Sequence, residues 1–281
     1  MTTPLQVIRD EGLESQLSGN SVLITGASSG IGVETAKAFF ATGATLYLTS
    51  QTLDKAKAAP CVRATAKELL SKTTTLNIFI ANAGVMAAPE GRTKDNFETQ
   101  FGVNYLAHFL LFILLRPALL DAATPDSSSR VVFLSSIAHR YSEVVLDNTN
   151  LVGEYEKWKA YGQSKCALLW VANEIDRRYA SQGLRAFSVQ PGGEEQAATL
   201  EDPILAPQLK SAGQGAATST WAAVSKSLEG MGGIYLENVQ ISKPWVEAEG
   251  NWAPGYAPHA YNPEGERRLF DLSLNLVGEK E

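Results

Sequence analysis

Cysteine is nearly absent: the 281 residues hold only Cys61 and Cys166. Two cannot build a disulfide framework, so the default reading is a pair of reduced thiols in an intracellular protein. The chain has only three histidines, and no His/Cys/carboxylate set has metal-ligand spacing, so no metal is expected. Basic charge is in deficit too, since 24 Lys and Arg face 30 Asp and Glu for a net charge of −6. With no clustered Lys/Arg stripe, a nucleic-acid surface is excluded. Residues 1–20 mix Asp, Glu and Arg with Leu and read as neither signal peptide nor membrane anchor. The run FLLFILL is too short to span a bilayer and is bounded by His108 and Arg116, so core or subunit interface is the better reading. Repeats and low-complexity tracts are missing. These absences leave a soluble, cytoplasmic protein without nucleic-acid or membrane partners.

What is present is a 44% hydrophobic chain, long enough for one large α/β domain over residues 1–281. Residues 1–20 read as an N-terminal extension and 193–262 as substrate-side loops and helices. Apolar β-rich runs end at Ile24, Thr49, Ala81, Leu134 and Val189, and helical patterns separate them. The runs ending at Thr49 and Ala81 both read as buried parallel strands. The long apolar stretch 96–120 predicts a helix that kinks or stops near Pro117, with Phe109 and Phe112 in the core. Strand and helix alternation of this kind predicts a Rossmann-type doubly wound parallel sheet, with a ligand crevice at the C-terminal strand ends.

Three features at those ends carry chemistry. After the first strand comes Thr25-Gly26-Ala27-Ser28-Ser29-Gly30-Ile31-Gly32, a glycine turn opening a helix and suited to a pyrophosphate. Gly26 allows the turn, Gly30 lets backbone approach the phosphates, and Gly32 lets helix and strand pack closely. Tyr161 and Lys165 stand four residues apart on one helix face. A free phenol ionises near pH ~10, and a neighbouring cation that favours phenolate brings its proton within reach at neutral pH. Ser136, past the fourth strand, is either a substrate-oxygen donor or a strand-end serine capping a loop. His139 reads as a structural loop histidine outside the mechanism.

Together TGASSGIG at 25–32, NAG at 82–84, Asn104, Ser136 and YGQSK at 161–165 resemble the short-chain dehydrogenase/reductases nearly end to end. NAGVM, the SSIAH turn, WKAYGQSK and GYAPHAYNPEGERRLFDLS are similar to a retinol-dehydrogenase-like branch common in filamentous fungi. The resemblance implies a nicotinamide cofactor held by Gly26, Ser28, Gly30, Ile31, Gly32, Asn82, Gly84, Asn104, Tyr161 and Lys165. It implies Tyr161 as proton donor, Ser136 as holder of the substrate carbonyl, Lys165 on the nicotinamide ribose, and Asn104 holding a water that links Lys165 to solvent. It also implies that helices 96–120 and 158–179 form subunit faces in a homo-oligomer.

Two departures fall on the cofactor side. Residues 51–75 suffice for one crossover helix, CVRATAKELLSK, and leave no room for the helix-strand unit that relatives carry there. One edge strand, the family's third, should be missing, making the second strand an edge in need of cover from residues 53–59. After Pro191-Gly192 the chain reads Gly193-Glu194-Glu195, with Thr199 arriving late. The two glutamates are either outward-pointing loop residues or a base in a site without hydride transfer. The second strand ends at Ser50-Gln51, with no acid to bind the ribose hydroxyls of NAD and repel a phosphate. That leans toward NADP, with Lys55 the nearest cation and by default a solvated helix residue.

The expectation is an NAD(P)-dependent oxidoreductase that reduces a ketone or aldehyde of a small to medium apolar metabolite in fungal secondary metabolism. Two alternatives remain open. One is a dehydratase, isomerase or cyclase using Tyr161 and Ser136 on the same fold; the other is a catalytically silent binding relative.

Overall fold

The strands of this protein read as unbroken apolar runs because both faces of the sheet are covered. The computed structural model describes residues 2–50, 62–194 and 209–281. In chain order its main elements are α1 (Pro4–Asp10), β1 (Ser21–Ile24), α2 (Gly30–Phe40), β2 (Thr45–Leu48), α3 (Val62–Leu70), β3 (Ile78–Ala81) and α4 (Ala107–Ala122). There follow β4 (Ser129–Leu134), α5 (Lys157–Tyr179), β5 (Leu184–Gln190), β6 (Gly193–Glu194), β7 (Leu209–Lys210), α6 (Ala212–Val224), β8 (Ile234–Glu237), β9 (Gln240–Ile241) and α7 (Pro263–Val277).

Seven strands form one sheet in the order β2-β1-β3-β4-β5-β8-β9, all parallel except β9. Alternate residues feed two cores. Leu23, Phe79, Phe133 and Ala186 point into one, with α4, α5 and α7, and Val22, Ile80, Val132 and Val189 into the other, with α2 and α6. The chain reverses direction across the sheet between β1 and β3. In doubly wound folds such a reversal opens a ligand crevice at the C-terminal strand ends.

Among the described residues β2 is the sheet edge, as the short 51–75 segment predicts. It is parallel to β1, but it is not the buried strand that its apolar sequence suggests: Thr45 and Leu48 are exposed, because nothing described pairs with its outer side. The crossover helix is present as α3, whereas residues 53–59 and Lys55 lie outside the described residues, as does Cys61.

The helix at 96–120 departs from expectation in three ways. It opens with a π-turn at Phe101–Leu106, and it continues through Pro117 to Ala122. Burial of Ala118, Leu119 and Ala122 carries that last turn, which Leu76 ties to the start of β3 by donating its amide to Ala118 O at 2.9 Å. The combined helix Phe101–Ala122 is also long and apolar enough to cross a membrane, with mean hydropathy 1.7, though 61% of its most apolar stretch is buried inside the fold. Phe109 and Phe112 are core residues, as expected.

On the side away from the sheet, α7 packs against α4 and α5. Phe270 packs edge-on against Phe109 at 5.1 Å, and Leu269 and Leu274 are buried beside them. Glu174 and Glu266, each almost fully enclosed, bind Arg177, and Glu174 also binds Arg178 at 2.7 Å. Of these, the Arg177–Glu266 pair joins α5 to α7, while the two Glu174 pairs lie within α5. The N-terminal extension is likewise built in, since Thr3 caps α1 and Val7 and Ile8 are buried against the rest of the fold. Residues 193–262 supply α6, β8 and β9 to the framework as well as loops at the cleft.

Candidate active site

A cleft of about 1870 Å³ runs along the C-terminal strand ends, walled by the glycine loop, Asn82-Ala83-Gly84, Ser135-Ser136, Tyr161, Lys165 and Pro191-Gly192. Its glycine end is fixed by backbone contact. Gly26 has φ +69, and a Cβ there would fall 2.8 Å from the Ala83 Cα. A Cβ on Gly32 would lie 2.3 Å from the Gly26 carbonyl oxygen. Thr25 Oγ1 accepts from the amides of Asn82 (2.9 Å) and Ala83 (3.0 Å). The Asn82 side chain donates to the carbonyls of Thr25 (2.8 Å) and Gly26 (3.1 Å). Asn82, placed by the resemblance at a ribose, is spent on shaping the loop. Ser28, Gly30 and Ile31 line the cleft where α2 begins, and Ser29 makes no side-chain cap there. A glycine turn facing the start of a helix is suited to a pyrophosphate.

Ser136, Tyr161 and Lys165 meet on the opposite wall. Lys165 donates to the Leu134 carbonyl at 2.8 Å, leaving two ammonium protons for a ligand. Its Nζ lies 5.5 Å from the Tyr161 ring centre. Burial lowers the lysine pKa to about 8. Burial raises that of Tyr161 to about 12, opposed by a hydrogen bond with the Ser136 side chain. The spacing of the pair predicts a phenol acidified by its lysine; in the fold, burial of Tyr161 pushes its pKa the other way. At neutral pH Tyr161 keeps its proton, the state a donor requires. Ser136 caps its loop, its hydroxyl accepting from Ala138 N at 3.2 Å, and the residue also lines the cleft.

Asn104 stands one layer back, behind Gly84. Its side chain accepts from Val85 N at 2.8 Å and donates to Val85 O and Ser164 Oγ, both at 2.9 Å. Its carbonyl meets His108 Nδ1 at 2.8 Å. The side chain is thus a structural brace, and only one carbonyl lone pair remains for a water.

Several residues here escape sequence reasoning. Tyr141, Trp158 and Trp252 line the mouth, with Trp158 edge-on to Tyr161 at 6.2 Å. Arg140 donates to the carbonyls of Ala253 (2.8 Å) and Gly255 and stacks on Trp245 at 4.9 Å, stapling the loop that carries Trp252. His139 is structural, as expected: Nδ1 donates to Ser136 O at 2.6 Å and Nε2 accepts from Ala257 N at 3.1 Å. Beyond Gly192, β6 and β7 pair, and Lys210 packs over Gly192, lines the cleft and donates to Asn238 at 2.7 Å. The Glu194 side chain, Glu195 and Thr199 lie outside the described residues.

The two buried histidines set the acid stability of the site. Burial lowers His108 to about 4 and His139 to about 3, below the ordinary 6.5. Both fold neutral while the unfolded chain takes up protons below pH ~6.5, so their stability is fully present above that pH and is lost as pH falls toward 4. Each histidine is expected to contribute a slope of ~1.4 kcal/mol per pH unit in that window. Urea titrations from pH 7 to 4 measure it, and His139→Gln should flatten the slope.

Fold and cleft together define a doubly wound α/β protein of the dinucleotide-binding class, with Ser136, Tyr161 and Lys165 gathered on one wall of the crevice. The short-chain dehydrogenase family model matches residues 20–61 and 58–201, in two pieces that meet inside the shortened 51–75 segment. The chain is 44% identical to the short-chain dehydrogenase/reductase prx1 of Penicillium roqueforti, over 98% of this chain and 90% of that protein. That alignment spans 308 positions against 281 residues, so the relative carries residues this chain lacks. Oxidoreductase calI of Penicillium decumbens is 37% identical (97% and 91% covered), and mouse retinol dehydrogenase 12 is 33% identical (94% and 88%). Among solved structures, an uncharacterised protein from Mycobacterium paratuberculosis superposes with TM-score 0.71 at 27% identity, covering 94% of this chain and 95% of that one. The RhlG/NADP complex of Pseudomonas aeruginosa superposes with TM-score 0.62 at 21% identity, covering 80% and 96%. The chain belongs to the short-chain dehydrogenase/reductase family, in its fungal, retinol-dehydrogenase-like branch, and is an oxidoreductase by that membership.

Proposed function

We propose that the protein is an NADPH-linked reductase of ketones or aldehydes on apolar, ring-bearing metabolites, working in fungal secondary metabolism and in a reducing, cytoplasmic setting. The observation that carries this reading is the gathering of Ser136, Tyr161 and Lys165 on one wall of a cleft whose other end is the glycine cradle. The residues fit a dinucleotide: Gly26 and Gly32 keep side-chain atoms out of the cradle, and Lys165 has donors to spare. A bound nicotinamide supplies hydride to the substrate carbon. Tyr161 gives its proton to the carbonyl oxygen, and Ser136 donates a hydrogen bond as charge develops there. Lys165 orients the ribose and holds positive charge beside the phenol, favouring loss of its proton. Tyr141, Trp158 and Trp252 exclude water and offer flat apolar contact.

The preference for NADPH is supported by the cleft's other end. Ser50, uncharged, follows β2, and Arg63 of α3 lines the same wall, paired with Glu279 and the Val277 carbonyl. An arginine can receive a phosphate there, and no acid on the strand end repels it.

Deuterated NADPH incubated with a panel of aryl and alkyl ketones tests the reading. Deuterium is expected on the carbinol carbon of the product; turnover of any substrate at equal rate without nicotinamide would instead support the non-redox enzyme. The pH dependence offers a second test. Reduction requires Lys165 protonated, so kcat/KM for NADPH should be level below pH 7 and fall above about 8, by about tenfold per pH unit.

A further inference from the structure

His108 takes no part in the chemistry above, yet both its ring nitrogens are engaged at 2.8 Å, Nδ1 with the Asn104 carbonyl and Nε2 with Thr25 Oγ1. The partners assign the protons. A carbonyl only accepts, so Nδ1 carries the hydrogen. Thr25 Oγ1 already accepts from the amides of Asn82 and Ala83, which uses both lone pairs, so its own proton goes to Nε2. The ring is fixed as one neutral tautomer.

The two partners belong to different halves of the site. Thr25 directly follows β1 and anchors the glycine loop, whose carbonyls at Thr25 and Gly26 are held by Asn82. Asn104 sits in the π-turn, bonded to Ser164 next to Lys165 in the chain. The Gly84 backbone lies over both: a Cβ there would be 3.2 Å from Asn104 Oδ1 and 3.6 Å from Lys165 Nζ. The imidazole is therefore a rigid strut from the phosphate cradle to the proton-transfer group.

We propose that His108 is a positioning residue, a clasp whose Nε2 seats the glycine loop through Thr25 and whose Nδ1 seats the Lys165 surroundings through Asn104. The two tasks are separable, because an asparagine amide can stand where Nδ1 stands and a glutamine amide where Nε2 stands. Burial, with the Lys165 ammonium adding to it, keeps the ring neutral throughout the physiological range.

The test uses the full chain carrying His108→Asn or His108→Gln, read first by hydrogen exchange with mass spectrometry. His108→Asn should speed exchange at residues 25–32 and 82–84 by at least tenfold and spare 101–107; His108→Gln should do the reverse. In the kinetic arm, which rests on the reductase reading, His108→Asn should raise the NADPH Kd about tenfold with kcat within threefold of wild type. His108→Gln should leave Kd within twofold and lower kcat about tenfold. Two variants that loosen the same segments equally would overturn the clasp and leave an ordinary core histidine. Wild-type protein that binds no NADPH would sink the reductase reading alone, since the exchange pattern still decides the clasp.

Discussion

Tyr161→Phe is expected to lower turnover about 10³-fold while leaving the NADPH Kd within about twofold of wild type. The variant keeps the ring that packs against Trp158 and removes only the hydroxyl that faces the cleft beside Ser136. An alkoxide formed at the substrate carbonyl would need a proton from this wall, where Ser136 is a poor acid and, in the reductase reading, the Lys165 donors would go to the Leu134 carbonyl and the ribose. Because the loss belongs to the transition state, kcat and kcat/KM should fall together. Ser136→Ala should cost less, about 10–100-fold, since it removes one donor to the developing charge and leaves the proton in place. Steady-state kinetics with a ketone that turns over, together with a binding isotherm for each variant, measure the split.

Gly32→Ala is expected to abolish dinucleotide binding, raising Kd more than about 100-fold, and to destabilise the fold by about 1–3 kcal/mol. Its Cβ would stand 2.3 Å from the Gly26 carbonyl oxygen and 2.7 Å from the Asn82 amide nitrogen. Both belong to the cradle, and the nearer one is backbone, so relief requires the loop itself to move. Gly213→Ala is the matching control: it lies in the first turn of α6 with nothing nearer than 3.9 Å to its Cβ. There the substitution should be neutral or stabilise by up to about 1 kcal/mol, as alanine does in helices. Thermal melts of both variants, with and without NADPH, separate loss of the cradle from loss of the fold.

Much of this was legible in the sequence because local patterns and global packing agree. The runs ending at Ile24, Ala81, Leu134 and Val189 are doubly covered strands, and an apolar run bounded by turn residues has few other fates. The glycine loop and the YxxxK helix were legible for the same reason, since each is a short local element. The edge position of β2 was legible from chain length alone: 51–75 holds one crossover, and among the described residues β2 is the edge.

What was not legible depends on tertiary partners. Pro117 sits inside a helix because packing of the following turn outweighs a missing amide. The phenol of Tyr161 is pushed up and not down, because enclosure is set by residues far away in the chain. His108 read as an interruption of an apolar run, and nothing at its position signals that Thr25, 83 residues earlier, would meet its ring. The packing of the C-terminal helix α7 against α4 and α5, through Phe270 on Phe109, likewise joins segments far apart in the chain.

The central claim is that the glycine cradle and the Tyr161 wall serve one bound nicotinamide dinucleotide, and titration of the intact protein with NADPH, followed by quenching of tryptophan fluorescence, tests it most directly. Trp158 and Trp252 line the cleft, so binding should quench their emission along a saturable single-site curve that survives in Tyr161→Phe and vanishes in Gly32→Ala. A signal that fails to saturate at millimolar NADPH, or one unchanged by Gly32→Ala, would contradict it.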